Sequence, residues 1–421
     1  MRNWKNLALG GALLLSTQTL SYDVVDRYKL LEDKFKTEEM LRPYGHDFLF
    51  DISAYANKNL LDLVDDVDSV GDAGDTNAQL NEANRVLEKY DKTEQSLRLN
   101  AQFGIPLFTF HAFGAKIVPD FRFGAQFGAN IGIRSDELSR QLLVDLFDLS
   151  PEIEEKILAM DDTQFTKLKN GTYTDVEDLL LDLGVDSRIA AEFDGDQVPG
   201  SGTSSVPNLA VFTKLDVKAG LLFNVFKNEW FGHWNLYGLH RTDFFRRLDA
   251  KTIVNGDDVL GGQDELNSQV FLATDLMVGK SFLETYRAYL AIEEIEIARL
   301  SDNVDKAGEL TYELDPLIRL HADARFSWKG LSLMPFLGVH KRSGYGFADG
   351  LYAGTDLGAH VWGDRLGITF RTILDNEHIT LSPQLKLWFM QFQYSLKQPI
   401  SSTVDDVKTS TMHSVNVRFF F

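Results

Sequence analysis

The chain has 421 residues and no cysteine. That excludes disulfides, thiol chemistry and the modified cysteine of a lipoprotein anchor. No apolar run reaches the roughly 20 residues that a membrane-spanning helix needs. Basic side chains are scarce: 42 Lys and Arg stand against 62 Asp and Glu, for a net charge of −20. A chain this acidic is a poor partner for nucleic acid. The nine histidines include no H-E-x-x-H and no paired metal-ligand spacing, and there is neither a nucleophile elbow nor a phosphate-binding glycine loop. No catalytic residue, metal or cofactor is expected, and an enzyme is not expected.

What is present is alternation. The last residues, Thr411 to Phe421, place His413, Val415, Val417, Phe419 and Phe421 on one face and Ser414, Asn416 and Arg418 on the other. A strand sends successive side chains to opposite faces. Phe121 to Arg134 is the clearest internal case, with Phe121, Phe123, Ala125, Phe127, Ala129, Ile131 and Ile133 against polar residues and glycines, among them Gly124, Gly128 and Gly132. Leu97 to Ile105, Thr213 to Val225, Ile318 to Trp328, Leu351 to Trp362 and Leu366 to Leu374 repeat the pattern. Several of these runs match or exceed the roughly 9–11 residues of a tilted transmembrane strand, whereas ordinary strands are nearer 5–6. Aromatics recur near strand ends, as at Trp230, Trp328 and Trp362, which suits interfacial girdles.

The expectation is an all-β transmembrane antiparallel barrel of about fourteen strands. They begin near His46, Leu97, Leu107, Phe121, Val211, Trp230, Gln269, Thr285, Ile318, Leu331, Leu351, Leu366, Ile379 and Thr411. Two runs change phase midway. The apolar set moves from Ile292 to Ile295 across Glu293 and Glu294, and from Phe389 to Met390 in the run from Ile379. A β-bulge or an extra turn explains either shift. The polar faces nominate lumen-lining residues: Arg98, Arg122, Lys214, Asp216, Lys218, Arg319, His321, Asp323, Arg325, Asp356, His360 and Arg371. This mixed charge either closes the pore with salt bridges or lines a wet channel.

The remaining segments divide the chain. Residues 1–21 have the charged start (Arg2, Lys5), short apolar core (Leu7 to Leu15) and small residues (Thr19, Ser21) of a secretory leader. Residues 22–94 are expected to be an N-terminal helical plug region. Residues 95–421 form the barrel, interrupted at 135–206 by a helical insert. The insert has Pro151 at a first-turn position, a capping box at Thr174 to Glu177, and Gly184 placed to end the helix that follows. The aspartates at 65, 66, 68, 72 and 75 read as a solvated acidic loop, since Val70 and Asn77 break a calcium-loop pattern. Loop lengths place the insert outside the cell, whereas counting strands back from a periplasmic chain end places it in the periplasm.

A leader, N-terminal helices, about fourteen strands and a terminal Phe421 resemble the FadL-like barrels. That group includes long-chain fatty-acid transporters, the PorV-type secretion barrel and TraF-like conjugation proteins. The chain lacks the Asn-Pro-Ala element of FadL members. The resemblance implies a Gram-negative outer-membrane, porin-like barrel that passes a small solute, hydrophobic ones included. A non-transporting scaffold or secretion component, acting through the insert, is the alternative. The implied partners are outer-membrane lipid and lipopolysaccharide, the barrel-insertion machinery (reading Val415, Val417, Phe419 and Phe421) and a protein partner at the insert.

Overall fold

A computed structural model describes residues 24–41, 48–74, 76–146, 150–193, 198, 201–202, 205–248, 250–255, 266–303, 312–362, 365–404 and 407–420. The expected leader and Phe421 lie outside the described residues.

The sheet is a closed antiparallel barrel of fourteen staves. In chain order these are β1 (Leu49–Asn57), β2 (Thr93–Pro106), β3 (Ala115–Glu137), β4 (Ser205–Lys227), β5 (Trp230–Leu248), β6 (Asn267–Phe282), β7 (Tyr286–Asn303) and β8 (Leu317–Ala324, continued by Phe326–Trp328). Then come β9 (Leu331–Lys341), β10 (Leu351–Val361), β11 (Leu366–Asp375), β12 (His378–Leu387), β13 (Met390–Pro399) and β14 (Met412–Phe420). Closure is made by β1 pairing with β14, Leu49 opposite Phe420 and Asn57 opposite Met412. Closure leaves no unpaired strand edge, which a lipid environment requires.

The alternation sorts as the pleat demands. Ile52, Leu99, Phe123, Leu215, Leu276, Leu320, Leu337, Leu357 and Ile368 stand exposed on the outer surface, while Arg98, Lys214, Arg319 and Arg371 are buried inside. A closed sheet with an apolar exterior and a charged interior is a membrane barrel of the Gram-negative outer-membrane type.

The stave count agrees with the sequence, but two of its members differ. The run from Leu107 is an arm of the β2–β3 hairpin, with only Phe110–Ala112 paired to β3. The run from Ile379 is two staves, split by a turn at Trp388, whose φ is +49°. Losing one stave before the insert and gaining one after it keeps the total at fourteen. It also moves the insert to the rim opposite Phe420, where the other helix-bearing connections lie; this is the crown rim, and the rim of short turns is the turn rim. The other phase change is a true bulge. The β6–β7 register shifts between Thr274 and Leu276, and Glu294 takes φ +59°, so Glu293 and Glu294 both face inward.

The plug region expected at residues 22–94 divides three ways. The helix α1 (Val24–Met40) lies in the lumen, β1 is part of the wall, and α2 (Leu60–Gly71) with α3 (Thr76–Lys89) sits at the crown. The barrel wall therefore begins at Leu49. Staves β3 and β4 run 23 residues each, more than twice what the hydrocarbon layer requires. On this raised wall the outward residues Ile133, Leu209, Val211 and Leu248 would meet water. Instead they are covered by Leu63, Val70, Val86 and Leu87 of the two helices and by α9 (Ala250–Asn255). Asp65, Asp66 and Asp68 thus sit on a helix rather than in a loop.

The insert holds α4 (Arg140–Leu146), α5 (Pro151–Leu158), α6 (Asp162–Lys169), α7 (Val176–Asp182) and α8 (Ser187–Ala190) around its own core of Leu143, Ile157, Leu168, Leu179 and Leu180. Helix α7 starts one residue later than the sequence suggests, because Asp175 rather than Thr174 caps it, accepting from the Asp178 amide at 2.9 Å. Helix α6 carries the reciprocal capping box, Asp161 with Gln164.

Candidate functional site

Nine of the seventeen residues of α1 are charged, yet none is exposed; its length is enclosed by the wall. Burying such a helix is unfavourable unless each charge meets a partner. The wall supplies them in tiers. Near the crown, Arg27 donates to Glu94 at 2.8 Å and to Glu377, while Lys34 reaches Asp375 at 3.0 Å and Glu377 at 3.1 Å. In the middle, Glu32 accepts from Lys214 at 2.7 Å, from the Tyr312 hydroxyl at 2.7 Å and from Gln126 at 2.8 Å. Asp33 takes both arms of the Arg342 guanidinium at 2.8 Å, and Arg342 also reaches Glu294 at 3.0 Å. Lys36 pairs with Glu294 at 2.5 Å. Further along α1, Glu39 pairs with Arg98 at 2.5 Å and Glu38 with Lys397. Arg371 there caps the helix end, donating to the Leu41 carbonyl at 2.6 Å while Asp356 holds it at 2.7 Å.

Apolar contacts supplement the charges at two places. Val24, Val25 and Tyr28 pack on Ala210, Phe212 and Tyr312, and Leu31 and Phe35 on Tyr55 and Met412. Gly128 of β3 makes room for α1: a Cβ there would lie 1.6 Å from the Tyr28 hydroxyl oxygen.

The twelve nominated residues fall into two groups. Arg98, Lys214, Arg319 and Arg371 touch α1 directly, Arg319 through Thr37. Asp216 braces Lys214 at 3.1 Å and Arg241 at 2.8 Å, Lys218 reaches Glu294 at 3.3 Å, and Asp356 holds Arg371. The others form contacts within the wall. Arg122 pairs with Asp120, and His321 accepts from or donates to Tyr352 at 3.0 Å and lies 3.5 Å from Asp323. Asp323 binds Arg287 at 2.7 Å, with half-exposed Arg325 at 3.5 Å. His360 nests against Gly358 and Gly367. Among the described residues no group of three His, Asp or Glu is placed to hold a metal ion.

The sequence missed Glu32, Asp33, Glu294, Arg342, Glu377 and Lys397. The paired glutamates had a signal, the phase change at Glu293. Arg342 had none, since it lies just past the end of β9, where periodicity stops.

No protein-family model matches the chain, and no curated protein does. Solved barrels do. The transport unit of the autotransporter AIDA-I from Escherichia coli is 7% identical, with 95% of this chain and 100% of that one covered and a TM-score of 0.35. CdiB from Acinetobacter baumannii is 6% identical, covering 89% and 60%, with a TM-score of 0.32. A Pseudomonas aeruginosa FadL homologue is 8% identical, covering 78% and 68%, with a TM-score of 0.29. Likeness at this level assigns neither family nor cargo; the barrel's own geometry identifies it as an outer-membrane β-barrel.

Proposed function

We propose that the protein is an outer-membrane channel for a small polar or charged solute, held closed by α1. One observation carries this reading: α1 is bonded to the wall chiefly by ion pairs and hydrogen bonds, so its departure leaves a lining that water can solvate. A permanently filled lumen would gain from apolar packing, because well-packed hydrophobic residues often equal or exceed buried ion pairs in stability. The same lining argues against the hydrophobic cargo that FadL-like transport implies, since an apolar solute would have to pass Arg98, Lys214, Asp216 and Arg371, all of them buried in the lumen. Helix α1 precedes β1, whose first residue, Leu49, lies at the turn rim, paired with Phe420.

The test is planar-bilayer conductance of the full chain against a form lacking residues 22–41. Deletion must stop there, because removing β1 opens the barrel. The full chain is expected to be silent and the deletion to conduct steadily. Silence in both sinks the channel reading. A second reading, a non-transporting scaffold, is favoured by the independent core of the insert on the raised wall. Partner capture that depends on residues 138–204, with no conductance in either form, is its signature.

A further inference from the structure

The turn rim is unlike the crown. Its hairpins carry large apolar side chains at their tips: Phe108 and Phe113 are 94% and 97% exposed, Leu283 84%, Trp362 80%, Trp328 66% and Trp388 68%. Such groups facing water all round a rim are unfavourable, whereas aromatic rings are at home among lipid headgroups. Backbone strain accompanies this placement. Phe113, Leu283, Trp362 and Trp388 all take positive φ, between +49° and +54°, a conformation bulky residues rarely adopt. The second observation is charge. In a chain of net charge −20, this rim presents cations beside its rings. The Lys280 ammonium lies 5.6 Å from the Trp230 ring centre and 5.1 Å from that of Phe282, Lys329 lies 5.2 Å from Trp328, and Arg365 lies 5.2 Å from Trp388. Glu229 shares Lys280 at 3.4 Å. The crown instead exposes Asp62, Asp65, Asp68, Asp72 and Glu88.

We infer that the turn rim is a collar for anionic phospholipid, in which the rings lie among the headgroups and Lys280, Lys329 and Arg365 take the phosphates. A ring beside each cation orients it at headgroup depth, and the charge complements an anionic leaflet. The acidic crown is repelled by the same surface, so the collar also sets which way the barrel faces. The inference holds whether or not the lumen opens.

The experiment uses the full chain reconstituted with spin-labelled phosphatidylglycerol or phosphatidylcholine, reading the bound fraction of each. The wild type is expected to prefer the anionic lipid by about fivefold or more at low salt, the contribution of at least one headgroup-depth cation, with the preference falling as salt rises. The variant K280Q/K329Q/R365Q is expected to lose it, and K280R/K329R/R365K to keep it. Heat-modifiable migration shows that each variant has folded. Equal binding of the two lipids by the wild type overturns the collar, and so does full preference in the glutamine variant. Lipopolysaccharide binding that is lost in the glutamine variant, without phosphatidylglycerol preference in the wild type, assigns the rim to the other leaflet and also overturns it.

Discussion

The seat of α1 on Gly128 gives the sharpest way to disturb the closed state. In Gly128→Ala the new Cβ would lie 1.6 Å from the Tyr28 hydroxyl oxygen, 2.4 Å from Cζ and 3.0 Å from Cε2. Ordinary contact begins near 3.4 Å, so the ring must retreat by the difference. It has little room to swing, because Phe212 stands 5.3 Å away and Tyr312 6.1 Å away, centre to centre. The displacement therefore passes to the helix itself, whose next turn places Glu32 on Lys214 and Tyr312. Overpacking of this kind costs about 1–3 kcal/mol, and loosening of the ion-pair tier adds to it. The glycine is not needed for its backbone conformation, since it is not among the positions with positive φ. Gly124→Ala is the matched control: its Cβ meets only the Ala101 carbonyl at 3.5 Å and the Gln102 Cγ at 4.0 Å. The assay is thermal unfolding by heat-modifiable migration, with single-channel recording alongside. Gly128→Ala is expected to unfold at lower temperature and to show openings, Gly124→Ala to match the wild type, and Tyr28→Ala added to Gly128→Ala to relieve the overpacking. A Gly128→Ala protein with unchanged melting and no openings would refute the placement of α1.

Three further outcomes follow from the same structure. Arg342→Met takes from Asp33 the guanidinium that pairs it in the lumen, while Glu294 keeps Lys36 and Lys218, and should destabilise the closed barrel by about 3–5 kcal/mol; adding Asp33→Leu should recover part of that, as chemical denaturation would show. Leu337→Arg puts a charge on the lipid face at mid-stave and should cost about 2–4 kcal/mol, seen as slower folding into vesicles, whereas Leu158→Arg on the insert should be neutral. At the crown, the Lys89 ammonium and the Tyr90 hydroxyl hold the Asp66 carboxyl below its usual range. A depressed carboxylate stabilises the fold above its unfolded value, about pH 4, and that contribution is lost as pH falls through the lower folded value. The hydrogen-exchange protection of α2 and α3, taken relative to the intrinsic rate at each pH, should therefore fall on acidification below about pH 4, and Asp66→Asn should flatten the response.

The sequence alone determined which residues face which way. A period of two is a local property of the extended chain, so Val415 outward and Asn416 inward follow from the order of residues before any partner strand is known. The same holds for the length of the staves, and hence for the membrane. Turns were less legible: Trp388 and Phe389 are bulky, with none of the glycine, asparagine or proline that usually mark a reversal, and so two staves merged into one run. Long-range pairing is not written locally at all. That Arg342 meets Asp33, Arg27 meets Glu377 and Lys397 meets Glu38 depends on α1 threading the lumen, which brings residues more than 300 positions apart into contact. Alternation could list the charges of the lumen, but only closure of the barrel around a charged helix decided that they neutralise one another instead of lining an open pore. The physical reason is that a buried charge must find a partner in space, and the periodicity of one strand says nothing about what stands opposite it across the barrel.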